Sequence, residues 1–556
     1  MKKGKNILSL LKIRSEEYGE RIALGIRNKY GWSEFSYKGI AHLSKQLAYY
    51  FINGLKLETG ERLAILSESK PEYGACVFAS VLAGLITVPL DIKLTKYELK
   101  SILSDCEPTI LLISSQFSDM ATYLKQEIPS IKYIMIIDEN CGIKERKTIY
   151  EIADKSTTKW RLRKASSTAL IIYTSGTTGA PKGVEITFKN IISQLEDIRE
   201  ILGTIFTSKH AKTLSILPMN HLFEMTVGFS SFLNMGYSVY YTKSLKPNDV
   251  LSIMREKEIV FMIVVPAFLR LLKTTIESNI KKKTKIHQLM FQFLFHVAKF
   301  VPSYRMKKMM FKQIHKQFGG KFAACIAGGA PLDKSVGKFF ERIGIKVFQG
   351  YGLTETSPVV SVNTDRYKDL SSIGKPLKHY QAKIDNTTGE LLLKGPSVMK
   401  GYYKRPEMTK EVITEDGWLH TGDIAKQNSN GHLYITGRIK NMIVLSGGKK
   451  VFPEEVESVL EKSEYISEIC VIGLSKTFGA KDNTEEVAAI IIPKPQLYDL
   501  YSEKEVENLV KTDIKNLSQR LTVYKRPVNI IIKREPLPKT STNKVKRNEV
   551  KKLLSV

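Results

Sequence analysis

The chain has 556 residues, more than one hydrophobic core accommodates, so several folding units are expected. Its composition, 43% hydrophobic and 25% charged, is that of a globular protein, and its five scattered cysteines contain no Cys-x-x-Cys pair, which argues against a disulfide framework or a zinc site. The net charge of +29 invites an anionic partner, but no nucleic-acid-binding motif accompanies it and a lysine-coated surface explains it, so no nucleic acid is expected.

The first residues open like a secretory leader, but the apolar run before Lys12 and Arg14 is too short; a leader core needs about 7–15 residues. The longest apolar stretch, 75–90, is interrupted by Ser80, Gly84, Thr87 and Pro89. It reads as a buried helix running into a strand, since a membrane span takes about 20 residues. A cytoplasmic protein is expected, at most peripheral at the inner face of the membrane. Short apolar runs at 62–66, 109–113, 133–137 and 261–265 alternate with helical stretches. That is the pattern of parallel strands covered on both faces.

The strand-like run Ala169-Leu170-Ile171-Ile172 leads into residues 173–183, Tyr-Thr-Ser-Gly-Thr-Thr-Gly-Ala-Pro-Lys-Gly. Hydroxyls on Thr174, Ser175, Thr177 and Thr178, the glycines Gly176 and Gly179, and the cation of Lys182 suit a polyphosphate. The spacing matches neither the Walker loop nor the dinucleotide fingerprint. Downstream, residues 217–224 place His221 and Glu224 after the strand-like 213–216. The segment 281–321 holds eleven Lys and Arg and no Asp or Glu. Within it Leu289, Phe293, Val297 and Phe300 share one helical face. That stripe is expected to pack on the body, while the basic cluster suits an anionic membrane surface. A glycine-rich turn at 327–332 (Gly328, Gly329, Ala330) and the run Gln349-Gly350-Tyr351-Gly352-Leu353-Thr354-Glu355 follow. The polar stretch 421–441 then separates a C-terminal part with strand-like 468–472, 486–492 and 528–532 and helix-like 452–462 and 502–519, a small α+β domain.

Residues 173–183 resemble the signature loop of the AMP-forming adenylating enzymes, the superfamily of acyl-CoA synthetases, peptide-synthetase adenylation domains and luciferases. Further motifs resemble that superfamily in its own order, through to 537–547, and the pattern spans nearly the whole chain. The resemblance implies an α/β fold: a large N-terminal body of stacked αβα-type subdomains plus a β-barrel-like portion over 1–438, a hinge at 439–441, and a small mobile C-terminal α+β domain over 442–556.

It also implies roles. ATP phosphates would meet the 173–183 loop, and Mg²⁺ would be held by Thr174 and Glu355. His221 would lie near the substrate carboxylate, and Gly328, Gly329 and Ala330 would pack against adenine. Tyr351 would stack on that ring, and Thr354 would contact the α-phosphate. Asp423 would accept from the ribose hydroxyls, with Arg438 as its partner. Lys440 occupies the hinge position, Gly448 the loop facing the pantetheine of coenzyme A, and Lys544 the lysine that bridges carboxylate and α-phosphate. A glycine usually precedes that lysine; here Asn543 does, a residue that tolerates left-handed geometry. Residues 416–440 also resemble a fatty-acyl-CoA synthetase signature, with departures at Gln427, Ser429 and Gly437. Together with Glu224 this implies a medium- to long-chain fatty acid as substrate and coenzyme A as acceptor. An acyl carrier protein is the alternative acceptor, and a non-catalytic nucleotide- or lipid-binding protein the alternative class.

Overall fold

The apolar runs form strands because their Val, Ile and Leu side chains fill both faces of a covered sheet. The computed structural model describes residues 14–138, 147–152, 160–161, 163–174, 181–205, 210–364, 369–445, 449–475, 485–539 and 545–554. The chain divides into two compact units: residues 1–381 with 394–417, and residues 382–393 with 418–556.

The larger unit contains two sheets. In the seven-stranded sheet the order is Gly401–Tyr402, Lys182–Thr187, Thr168–Thr174, Ile86–Pro89, Arg62–Leu66, Ile110–Ile113 and Tyr133–Ile136. The last five are parallel; the first two are added antiparallel. The nine-stranded sheet has six strands in parallel at its centre: Lys346–Tyr351, Ala324–Ala327, Phe261–Val264, Lys212–Ser215, Ser238–Tyr241 and Ile22–Asn28. Antiparallel strands close both ends. The stretch expected to run from buried helix to strand does so. Helix Pro71–Ala83 is buried along its whole length and ends at Gly84 in left-handed geometry. A Cβ at Gly84 would lie 3.0 Å from the Arg161 backbone oxygen, so conformation and space both call for glycine there.

The smaller unit begins with a four-stranded sheet in the order Gln381–Ile384, Glu390–Lys394, Leu419–Gln427 and Leu433–Arg438, its last three strands antiparallel. Beyond it, strand Ile466–Ser475 pairs antiparallel with Glu485–Pro493, which pairs parallel with Asn529–Ile532. This sheet is buried on both faces. Ile469, Val471, Ala489 and Ile491 join a core with Val506, Val510 and Ile514 of helix Glu503–Ser518, while Cys470, Ile472, Ala488 and Ile490 meet Leu537 and Val550 on the other side. The period-two alternation of the strands assigns each residue its face.

The basic segment departs from expectation. Its helix Lys285–Val297 packs on the body through Phe291 and Phe295, which meet Phe311, and Phe295 also meets Phe339. Leu289, Phe293 and Phe300, three of the four residues expected to face the body, are instead exposed. Beside the polar face of Lys285, Gln288, Gln292 and His296 the helix carries more than one apolar stripe, so periodicity found a stripe but could not choose which is buried. Among the described residues no helix is long and apolar enough to cross a membrane.

Candidate functional site

Strand Thr168–Thr174 pairs antiparallel with Lys182–Thr187, placing Thr174 opposite Lys182 and Tyr173 opposite Gly183. The phosphate-type loop therefore connects two strands of one hairpin. Its Ser175, Gly176, Thr177, Thr178 and Gly179 lie outside the described residues, as do Gly448 and Lys544. A Cβ at Gly183 would come within 2.8 Å of the Ile171 side chain and 3.1 Å of the Tyr173 ring, so the hairpin packs only around glycine. The Tyr173 hydroxyl donates to Asp105 Oδ2 at 2.6 Å and fastens the strand end.

The edge strand Gly401–Tyr402 lies against Lys182–Thr187. The Tyr402 hydroxyl donates to Glu355 Oε1 at 3.0 Å, and the Lys182 ammonium sits 5.4 Å from the centre of the same ring. Burial and the Glu355 charge push the Tyr402 phenol up, which keeps it a donor. Glu355 itself comes from the other sheet, in the turn Thr354–Thr356 after strand Lys346–Tyr351, and its carbonyl accepts from Met399 N–H at 2.8 Å. Two residues from separate sequence motifs thus meet on a tyrosine, with Thr174 across the ladder from one of them.

Gln349, Gly350 and Tyr351 end strand Lys346–Tyr351, and Ala327 pairs with Gln349. The Gly328-Gly329-Ala330 turn and the 349–355 run therefore leave neighbouring parallel strands at their carboxyl ends, the side where open α/β sheets take ligands. Gly352 is sterically fixed: a Cβ there would fall 1.7 Å from the Pro358 carbonyl oxygen. Strand Lys212–Ser215 of the same sheet leads to the His221 segment. His221 N–H donates to the Pro218 carbonyl at 3.0 Å, and Met219 N–H donates to Ser69 Oγ at 2.9 Å. The Phe223 ring packs where a Cβ at Gly328 would be, 2.9 Å away, so the His221 segment and the glycine turn touch.

Glu224 opens a wide-turn helix, Glu224–Ser231, and is 1% exposed. Neither carboxylate oxygen has a hydrogen-bond partner among the described residues. The missing side chain of Gly228 makes the room: a Cβ there would lie 2.3 Å from Glu224 Oε1. Burial pushes the Glu224 carboxyl up to about 7.

In the smaller unit Asp423 and Arg438 stand opposite each other on adjacent strands. Arg438 Nε donates to Asp423 Oδ1 at 2.6 Å, and the carboxylate is buried while the guanidinium is half exposed. Gly437, a departure from the fatty-acyl signature, has the Phe452 ring 2.6 Å from where its Cβ would be. Lys440 lies in the turn Ile439–Asn441. Among the described residues no cluster of three or more His, Cys, Asp or Glu could cage a metal ion.

A model of the AMP-binding enzyme matches residues 11–403, and one of the AMP-binding enzyme C-terminal domain matches residues 440–555. The chain belongs to the AMP-binding enzyme family. Similar relatives include a long-chain-fatty-acid–CoA ligase of Mycobacterium bovis, 27% identical over 85% of this chain and 79% of that protein. Another, from Salmonella typhimurium, is 27% identical over 93% of this chain and 89% of its own. Among solved structures, the O-succinylbenzoate coenzyme A synthetase of Bacillus subtilis in complex with AMP is 26% identical, with a TM-score of 0.74 over 98% of both chains. ATP-bound MatB from Rhodopseudomonas palustris, 23% identical with a TM-score of 0.77 over 99% of both chains, shares the fold.

In this AMP-binding enzyme, Tyr402 is a residue of the candidate site that sequence motifs did not single out. It lies on a strand of two residues, too short to show a period, and its partners are 47 and 220 positions away (402 − 355 and 402 − 182). The one available signal was the Gly-Tyr-Tyr triplet at 401–403, which without the fold reads as a turn.

Proposed function

We propose that the protein activates a carboxylic acid with ATP and passes the acyl group to coenzyme A. In the first step a carboxylate oxygen bonds to the α-phosphorus of ATP, the bond to the β-phosphate oxygen breaks, and pyrophosphate leaves. In the second the coenzyme A sulfur bonds to the acyl carbon, the thiol proton leaves, and AMP departs with the mixed-anhydride oxygen. The observation that carries this reading is the meeting of Lys182 and Glu355 on Tyr402 in a chain of the AMP-binding family.

Lys182 and the hydroxyls and amides of 174–179 would hold the polyphosphate, and Tyr402 orients the Glu355 carboxylate. Mg²⁺ is usually held through one or two carboxylates plus substrate phosphates and waters, so Glu355 with Thr174 fits it without a protein cage. Bound there, it supplies charge neutralisation on the phosphate oxygens. Tyr351 and the 328–330 turn would take adenine, Thr354 the α-phosphate, Asp423 and Arg438 the ribose, and His221 the acid. Lys544 would bridge the carboxylate and α-phosphate in the first step. Residues beyond Lys440 then reorient about that position, bringing Gly448 to the pantetheine for the second.

The acid we infer is a medium- to long-chain fatty acid, on the strength of relatives named as long-chain-fatty-acid–CoA ligases. A relative of similar identity named for O-succinylbenzoate supports an aromatic acid instead. Pyrophosphate release with ATP, Mg²⁺ and a series of fatty acids, against O-succinylbenzoate, separates the two. A rate rising with chain length supports the fatty acid; release only with the aromatic acid refutes it. No release with any carboxylate would leave a nucleotide- or lipid-binding protein without the reaction. A thioester formed on acyl carrier protein and not on coenzyme A would replace the acceptor.

A further inference from the structure

Helix Lys285–Val297 is fastened to the body by Phe291 and Phe295, whose rings stack with centres 5.5 Å apart. The rest of its apolar surface faces water. Ile286 (77% exposed), Leu289, Met290 and Phe293 (68%) lie along this helix, Phe300 just beyond it, and Met309 (71%) on the next helix, Tyr304–Met310. Soluble proteins rarely expose an apolar patch of this kind without a partner for it.

Charge indicates which partner. The segment 281–321 holds eleven Lys and Arg and no Asp or Glu, and Lys281, Lys282, Lys283 and Lys285 at one end of the helix and Lys299 beyond the other are exposed. The Lys299 ammonium lies 5.5 Å from the Phe300 ring centre and Lys307 lies 5.2 Å from that of Tyr304, so cation and apolar surface are interleaved. A second copy of this face would bring like charges together, which opposes a two-fold pairing. An anionic bilayer answers both features: acyl chains receive the apolar side chains and headgroups receive the lysines. We propose that helix Lys285–Val297 and the residues that follow, through 310, form a surface that lies on an anionic lipid membrane. The inference stands whichever acid the enzyme activates.

The test uses the full chain without ATP, acid or coenzyme A, sedimented with vesicles of phosphatidylcholine alone or mixed with phosphatidylglycerol. Binding is expected to the mixed vesicles, weakening as salt screens the charges. Phe293→Glu is expected to weaken it at least about tenfold, and so is joint replacement of Lys281, Lys282, Lys283 and Lys285 by Gln. Both variants should release pyrophosphate from ATP in the presence of a water-soluble substrate acid as the parent does, showing that they are folded. Equal affinity for neutral and anionic vesicles, or variants that bind as the parent does, overturns the proposal. So does a parent that ignores vesicles but self-associates in sedimentation equilibrium until Phe293→Glu is introduced.

Discussion

Replacing Glu224 by glutamine keeps the shape of a buried side chain and removes its proton equilibrium. Its carboxyl is pushed from an ordinary 4.5 up to about 7 by burial. The folded state therefore holds this proton more tightly than the unfolded chain does. Below about pH 4.5 both states are protonated and the stability is fully present. As pH rises towards 7 the unfolded chain ionises first, and stability is lost until both states are ionised. A gap of about 2.5 pH units corresponds to a loss of about 3.4 kcal/mol. Glutamine has no such equilibrium, and the cost of its buried amide does not vary with pH. The stability of Glu224→Gln relative to the parent should therefore climb by about 3 kcal/mol between roughly pH 4.5 and 8. Urea unfolding of both proteins across that range measures it as a midpoint difference that grows with pH. Parallel profiles would show that Glu224 is ionised or solvated in the fold, and the reasoning from its unpartnered oxygens would fail.

Tyr402→Phe removes the donor that orients Glu355 but leaves the ring beside Lys182. The Mg²⁺ concentration for half-maximal pyrophosphate release should rise about tenfold, with little change in thermal midpoint. An unchanged Mg²⁺ dependence would deny Tyr402 a positioning role. Gly352→Ala forces a methyl onto the Pro358 carbonyl oxygen and should destabilise the larger unit by about 3 kcal/mol or more, read as a lowered calorimetric midpoint. Retained stability would mean that the 352–358 turn is not rigid. Lys544→Ala should abolish pyrophosphate release while a supplied acyl-adenylate is still converted to thioester. Equal loss of both steps would contradict the assignment of that lysine to the first step alone.

The sheets were legible because short apolar runs bounded by polar residues leave little choice: 62–66, 109–113 and 261–265 all carry parallel strands. The glycines at 327–332 and 349–355 were legible because they mark places where backbone comes close to something, Gly328 to Phe223 and Gly352 to the Pro358 carbonyl; most of 173–183 lies outside the described residues. What escaped were relations that no local pattern encodes. The strand that brings Tyr402 to Glu355 has two residues and no periodicity. Helix Lys285–Val297 carries more than one apolar stripe, so which one is buried was decided by Phe311 and Phe339, which lie outside the helix. Gly437 reads in sequence only as a departure from the fatty-acyl signature, whereas in the fold it is the room taken by Phe452.

The hairpin that carries Thr174 and Lys182 has an electrostatic consequence. Nucleotide loops that open directly onto a helix aim its fixed macrodipole, roughly half a positive charge, at the phosphates. Here strand Lys182–Thr187 follows the loop, and helix Phe188–Ile205 begins only after it. In the proposed reading the Lys182 side chain would supply positive charge instead, on a flexible four-carbon stem. Such a charge would be able to follow an anion that shortens from triphosphate to monophosphate within one turnover of the proposed reaction, where a helix end would stay aimed at one place.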